Sequence, residues 1–124
     1  MNEGSLGRHL LADFHEVVSD CLSDAAWLEA LLREAAAAAE ATPITANLHH
    51  FGVGLGVTGV LLLKESHISI HTWPEHRFAA IDVFMCGHCR PERAIEVLRD
   101  AMRPAEVVLH DAVRGRLGSA RPAP

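Results

Sequence analysis

The residues best suited to chemistry lie in one stretch, Lys64 to Gly87, which reads KESHISIHTWPEHRFAAIDVFMCG. Among its polar groups are the Ser66 hydroxyl, the His71 imidazole, the Cys86 thiol and the carboxylates of Glu65 and Glu75, with the Trp73 indole beside them. A serine, a histidine and a cysteine on neighbouring strands could carry out acyl transfer. There is no G-x-S-x-G elbow, however, and no Asp can be assigned to orient the histidine. Glu65-Ser66 suggests a different chemistry. It falls at a hairpin tip that lacks the usual Asn-Gly or Asp-Gly, so its backbone is expected to be strained. A strained peptide bond before a serine is what an N→O acyl shift needs. The hydroxyl attacks the preceding carbonyl, and the amide becomes an ester.

Two other patterns compete. Cys86-Gly-His-Cys89 follows a strand and precedes a helix, the setting of a thioredoxin-like redox pair. As a zinc site it offers two thiols but lacks a second C-x-x-C or a histidine pair at metal spacing, so no metal is expected. Gly54-Leu-Gly-Val-Thr-Gly59 matches G-x-G-x-x-G. A dinucleotide site needs a helix after that loop to hold the pyrophosphate, and here a strand follows.

The elements that must position these groups follow from periodicity. Gly7 to Phe14, Ile44 to Phe51, Val60 to Leu63, His67 to Trp73, Ala79 to Cys86 and Glu106 to Val113 read as strands. On the fourth, Ile68, Ile70 and Thr72 share one face, and His67, Ser69, His71 and Trp73 the other. On the fifth, Ile81, Val83 and Met85 alternate with Asp82, Phe84 and Cys86. A first helix, capped by Ser23 and running to about Ala41, buries Trp27, Leu28, Leu31, Leu32, Ala35 and Ala39. A second starts at Pro91 and buries Ala94, Ile95, Leu98 and Met102. The order β-α-β-β-β-β-α-β predicts an α+β two-layer sandwich, an antiparallel sheet with two helices on one face. The 124 residues suit a single domain, 1–124, with residues 114–124 expected to fray as a flexible tail. A net charge of −5 without a basic run argues against nucleic acid. No apolar run is long enough for a membrane span, and Glu3 and Arg8 interrupt any signal-peptide pattern. Three cysteines make no disulfide framework, and a reducing cytoplasm is the simplest setting.

The block Glu65-Ser-His-Ile-Ser-Ile-His-Thr-Trp-Pro-Glu75, followed by Ala79-Ala-Ile-Asp-Val-Phe-Met-Cys-Gly87, closely resembles the small, prokaryotic S-adenosylmethionine decarboxylases. The resemblance extends to Leu6-Gly-Arg-His-Leu-Leu-Ala12, His49-His-Phe51 and Gly56-Val-Thr-Gly59, and reaches about Gly115. It implies a proenzyme that cleaves itself between Glu65 and Ser66. Ser66 becomes a covalent pyruvoyl group, the cofactor, which forms a Schiff base with S-adenosylmethionine. The resemblance further implies that His71 acts in processing, with support from Thr58, where the family has a serine. By the same resemblance, Cys86 is expected to be the catalytic proton donor. Phe51, Trp73 and Glu75 bind substrate, Phe51 by stacking on adenine and Glu75 on the ribose hydroxyls. The implied assembly is a homodimer of cleaved chains that feeds spermidine synthesis. A same-fold pyruvoyl-dependent arginine or ornithine decarboxylase is the alternative.

The chemistry suits such residues. Decarboxylating an α-amino acid needs an electron sink conjugated to the amine, and a pyruvoyl carbonyl supplies one. A positioned acid, here a thiol, protonates the carbanion. Aromatic faces and an acidic surface both suit a cationic sulfonium.

Overall fold

The structure, a computed structural model, describes residues 4–18 and 20–118. Among these, six strands form one sheet: β1 (Ser5–His15), β2 (Pro43–His50), β3 (Val57–Leu63), β4 (Ser66–Trp73), β5 (Phe78–Cys86) and β6 (Glu106–Arg116). The two α-helices are α1 (Ala25–Ala38) and α2 (Pro91–Met102). The strand order is β2-β3-β4-β5-β1-β6, and every neighbouring pair is antiparallel. The expected α+β architecture is the one observed.

Period-2 patterning produces one covered and one open sheet face. Leu10, Ala12 and Phe14 of β1, Leu61 of β3, Ile68 and Ile70 of β4, and Ile81 and Val83 of β5 are all buried. They pack with Leu28, Leu32 and Ala35 of α1 and Ala94, Leu98 and Met102 of α2 in one core. The opposite face carries Thr58, Val60, Leu62, His67, His71 and Phe84 and, among the described residues, has no helix over it. Val60 and Leu62 are 38% and 45% exposed there.

Several expectations need correction. Asp24, not Ser23, caps α1, accepting a 3.0 Å hydrogen bond from the Trp27 N–H. Ser23 instead ends a short 3-10 turn, Asp20–Ser23. The helix stops at Ala38, and Trp27 stays 37% exposed because it lies beside the buried stripe. The sequence alternates Ile44, Ala46 and Leu48 against Thr45, Asn47 and His49, yet Ile44 is exposed, since the register of β2 shifts between Pro43 and Thr45. Ser66 belongs to the ladder of β4, opposite Leu63 and Met85. Arg114–Arg116, read as the start of a tail, extend β6 and pair with β1. The rest of the expected tail from residue 119 lies outside the described residues.

The buried Thr72 hydroxyl ties β4 to two other segments. It donates to the Leu22 carbonyl at 2.6 Å and accepts from the Val57 N–H at 2.8 Å. Thr72→Val keeps the shape and leaves both backbone groups unpaired. The expected loss is about 1–3 kcal/mol of folding free energy, read by urea denaturation, while Ile44→Ala changes little.

Candidate active site

The β3–β4 hairpin turns through only two residues, Lys64 and Glu65, between the paired Leu63 and Ser66. Tight hairpins normally place a positive φ in the turn, most cheaply at glycine. Neither Lys64 nor Glu65 has one, and the strain falls on Ser66, whose φ is +150°. For a residue with a Cβ, such a conformation costs on the order of 1–3 kcal/mol.

Contacts from other elements hold the tip. The Glu65 carbonyl oxygen accepts two hydrogen bonds from Cys86, one from its N–H at 3.2 Å and one from its thiol at 3.0 Å. The Glu65 carboxylate accepts from the Thr42 N–H at 2.9 Å and the Thr42 hydroxyl at 3.3 Å. The Thr42 carbonyl in turn accepts from the Lys64 N–H at 2.9 Å. Donation from the Thr42 N–H is the main reason the Glu65 carboxyl lies below its ordinary range; partial burial opposes it. Cys86 ends β5 opposite Gly7 of β1. A Cβ at Gly7 would press on the Met85 carbonyl and the Phe84 ring, so the close approach that seats Cys86 requires glycine.

A second cluster lies at the far end of the same hairpin. Thr58 and His71 are cross-strand partners, and the Thr58 hydroxyl sits 3.2 Å from His71 Nδ1. The His71 and Trp73 rings stack with centroids 6.3 Å apart, and Phe51 meets His49 edge-on at 4.6 Å. Phe51, Leu55, Thr58, His71, Trp73 and Glu75 line an open cavity of about 360 Å³. Glu75 reaches it from the short 3-10 turn Pro74–His76, which ends in left-handed Arg77. Leu55 was not singled out in the sequence, because nothing distinguishes it from an ordinary loop leucine.

One chain thus brings the site residues together as two groups. Glu65, Ser66 and Cys86 converge at the tip; Phe51, Thr58, His71, Trp73 and Glu75 converge at the base. His71 lies five steps along an extended strand from Ser66, a span of about 17 Å. Ser66, His71 and Cys86 share the β4–β5 pair, as the sequence predicts, but within one chain β4 holds His71 apart from the other two.

The redox reading of Cys86 and Cys89 has little to stand on. Both are free thiols. The Cys89 thiol contacts the Glu40 carbonyl at 3.5 Å and is pushed up to about 11, first by burial and then by Glu65, Cys86 and Glu40. A redox cysteine needs the opposite shift.

An α+β sandwich that sets a strained Glu-Ser tip against a cysteine, with an aromatic-lined cavity at the far end of the same hairpin, has the make-up of an enzyme. A model of the S-adenosylmethionine decarboxylase family matches residues 8–115, and the chain belongs to that family. It is 42% identical over 113 residues to an S-adenosylmethionine decarboxylase proenzyme of Thermotoga petrophila, covering 90% of this chain and 86% of that protein. It is 43% identical over 113 residues to one of Methanococcus aeolicus, covering 90% and 96%. Among solved structures, the adenosylmethionine decarboxylase of Aquifex aeolicus superposes with a TM-score of 0.84 at 35% identity, covering 96% of this chain and 98% of that one.

Because Cys89 ionises only near 11, its alkylation by iodoacetamide should stay slow at pH 8 and climb steeply above about pH 10. Peptide mass spectrometry across that range measures it. Rapid labelling of Cys89 at pH 7 contradicts the assignment.

Proposed function

We propose that this chain is a self-cleaving proenzyme whose mature form releases carbon dioxide from S-adenosylmethionine, its product serving spermidine synthesis. The observation that carries the reading is the double donation from Cys86 to the carbonyl preceding a strained serine. When the Ser66 hydroxyl attacks that carbonyl, negative charge grows on the Glu65 oxygen. The Cys86 N–H and thiol already point at it, as oxyanion donors must. The carbon–nitrogen bond breaks, the nitrogen takes a proton, and Glu65 is left in ester linkage to Ser66. A base then removes the Ser66 α-proton, and elimination frees the Glu65 carboxylate as a new chain end. The dehydroalanine at 66 takes up water and loses ammonia, which leaves a pyruvoyl group.

That group, once formed, supplies the conjugated carbonyl that serves as electron sink. The residues around position 66 suit it, since the Cys86 thiol lies 3.0 Å from the carbonyl flanking that position. The thiol is therefore suited to deliver a proton to the decarboxylated carbon. Phe51 and Trp73 offer faces to an adenine and a sulfonium, and Glu75 can accept from ribose hydroxyls. Free thiols and a net charge of −5 support a reducing cytoplasm and argue against nucleic acid as a partner.

The reading includes a homodimer. The tip and base of one hairpin cannot form a single site, but two copies packed open face to open face and antiparallel can join the tip of one to the base of the other. Exposed Val60 and Leu62 suit burial against a second copy. In such a dimer the His71 imidazole is the base that removes the Ser66 α-proton of its partner.

Three measurements test this. Intact mass should give two chains, Met1–Glu65 and a Ser66-derived chain ending at Pro124 with a carbonyl-reactive, blocked end; a permanently intact chain overturns the reading. In steady-state assays kcat/KM should be higher for S-adenosylmethionine than for arginine or ornithine; the reverse order moves the protein to that alternative. Finally, His71→Ala should stall as an ester that hydroxylamine cleaves at Ser66. Co-expression with Ser66→Ala, which keeps His71 but cannot be cut, should restore cleavage of the His71→Ala chain. No restoration means that His71 does not act across a dimer.

A further inference from the structure

We infer that Thr42 and the Glu65 side chain form a positioning clamp for self-cleavage, holding the Glu65 carbonyl against Cys86 for attack by Ser66. The inference rests on the self-cleavage reading and adds to it a residue that lies in neither cluster. Thr42 sits in the link between α1 and β2, 23 positions from Glu65. Its N–H, hydroxyl and carbonyl all contact the two turn residues.

Residue 65 is therefore held from two sides. Its carboxylate is fixed by Thr42, and its carbonyl by the N–H and thiol of Cys86. With both ends tied, the peptide plane between Glu65 and Ser66 cannot turn to relieve the +150° φ of Ser66. Turning that plane would also swing the carbonyl oxygen off Cys86. The clamp thus retains the strain and keeps the donors aimed where charge develops, both of which favour the first step, amide to ester. An ionised Glu65 makes the stronger grip, because hydrogen bonds to charged acceptors exceed neutral ones. The other titratable groups facing it are His88, in the loop after β5, and the thiols of Cys86 and Cys89. No second carboxylate competes for Thr42 among the described hydrogen bonds.

The test follows the rate of self-cleavage of freshly refolded chains. Glu65→Ala should slow it roughly tenfold or more, Glu65→Gln less, and Thr42→Val several-fold, while Thr42→Ser stays near wild type. Melting temperatures identify any variant that merely fails to fold. The step is read in the His71→Ala background, where the hydroxylamine-sensitive fraction reports ester. Adding Glu65→Ala should shrink that fraction, because the block then falls before the ester. An unchanged rate and an unchanged ester fraction in a well-folded Glu65→Ala chain overturn the clamp alone. A wild-type chain that never cleaves overturns the self-cleavage reading, and the clamp with it.

Discussion

A two-residue connection without glycine constrains everything near the tip. Sheet pairing fixes Leu63 opposite Ser66 and Ser66 opposite Met85, so the turn cannot lengthen. The positive φ it requires lands on a serine. Elsewhere the same chain meets this need cheaply, with Gly87 at φ +69° just past β5. The tip persists because β5 and the α1–β2 link grip it through Cys86 and Thr42. Strain at one residue is thus supported by two segments remote in sequence, a common arrangement where backbone strain has a purpose.

The sheet sets the rest of the geometry. Extended strands advance about 3.3 Å per residue, so groups five positions apart on β4 cannot meet. Helices cover only one face, leaving Val60, Leu62 and the rings of His67, His71 and Phe84 on the other. An exposed sheet face with apolar and aromatic residues is unusual for a solitary domain. The separation of the two clusters and this exposed face are what the proposed pairing of two copies rests on.

Much of this was legible in the sequence, for local reasons. Period-2 alternation in Ile68, Ile70, Thr72 and in Ile81, Val83, Met85 is a property of a few adjacent residues, and all six are buried as expected. Glu65-Ser66 and Cys86 stood out by residue type. What escaped depends on tertiary context. Trp27 is apolar but lies beside the helix stripe, and Ile44 is turned outward by a register shift. Thr42 carries no local signal at all, since its role exists only once α1 and the hairpin are packed together. The gap between Ser66 and His71 could be counted from the spacing, yet it became a constraint only when β4 proved continuous from Ser66 to Trp73.

The strand order has a further consequence for the two pieces that a cut between Glu65 and Ser66 would make. One piece owns β1, β2 and β3; the other owns β4, β5 and β6. Across the sheet they alternate, because β4 and β5 lie between β3 and β1, and β6 lies beyond β1. Three seams, β3–β4, β5–β1 and β1–β6, would join different polypeptides. Neither piece alone can rebuild the sheet, so folding must precede the cut. A precursor refolds as a single chain at any dilution. The severed protein, once denatured, must find its other half by collision, and its recovery then depends on concentration. The reaction that arms the site would also erase the chain's ability to fold by itself.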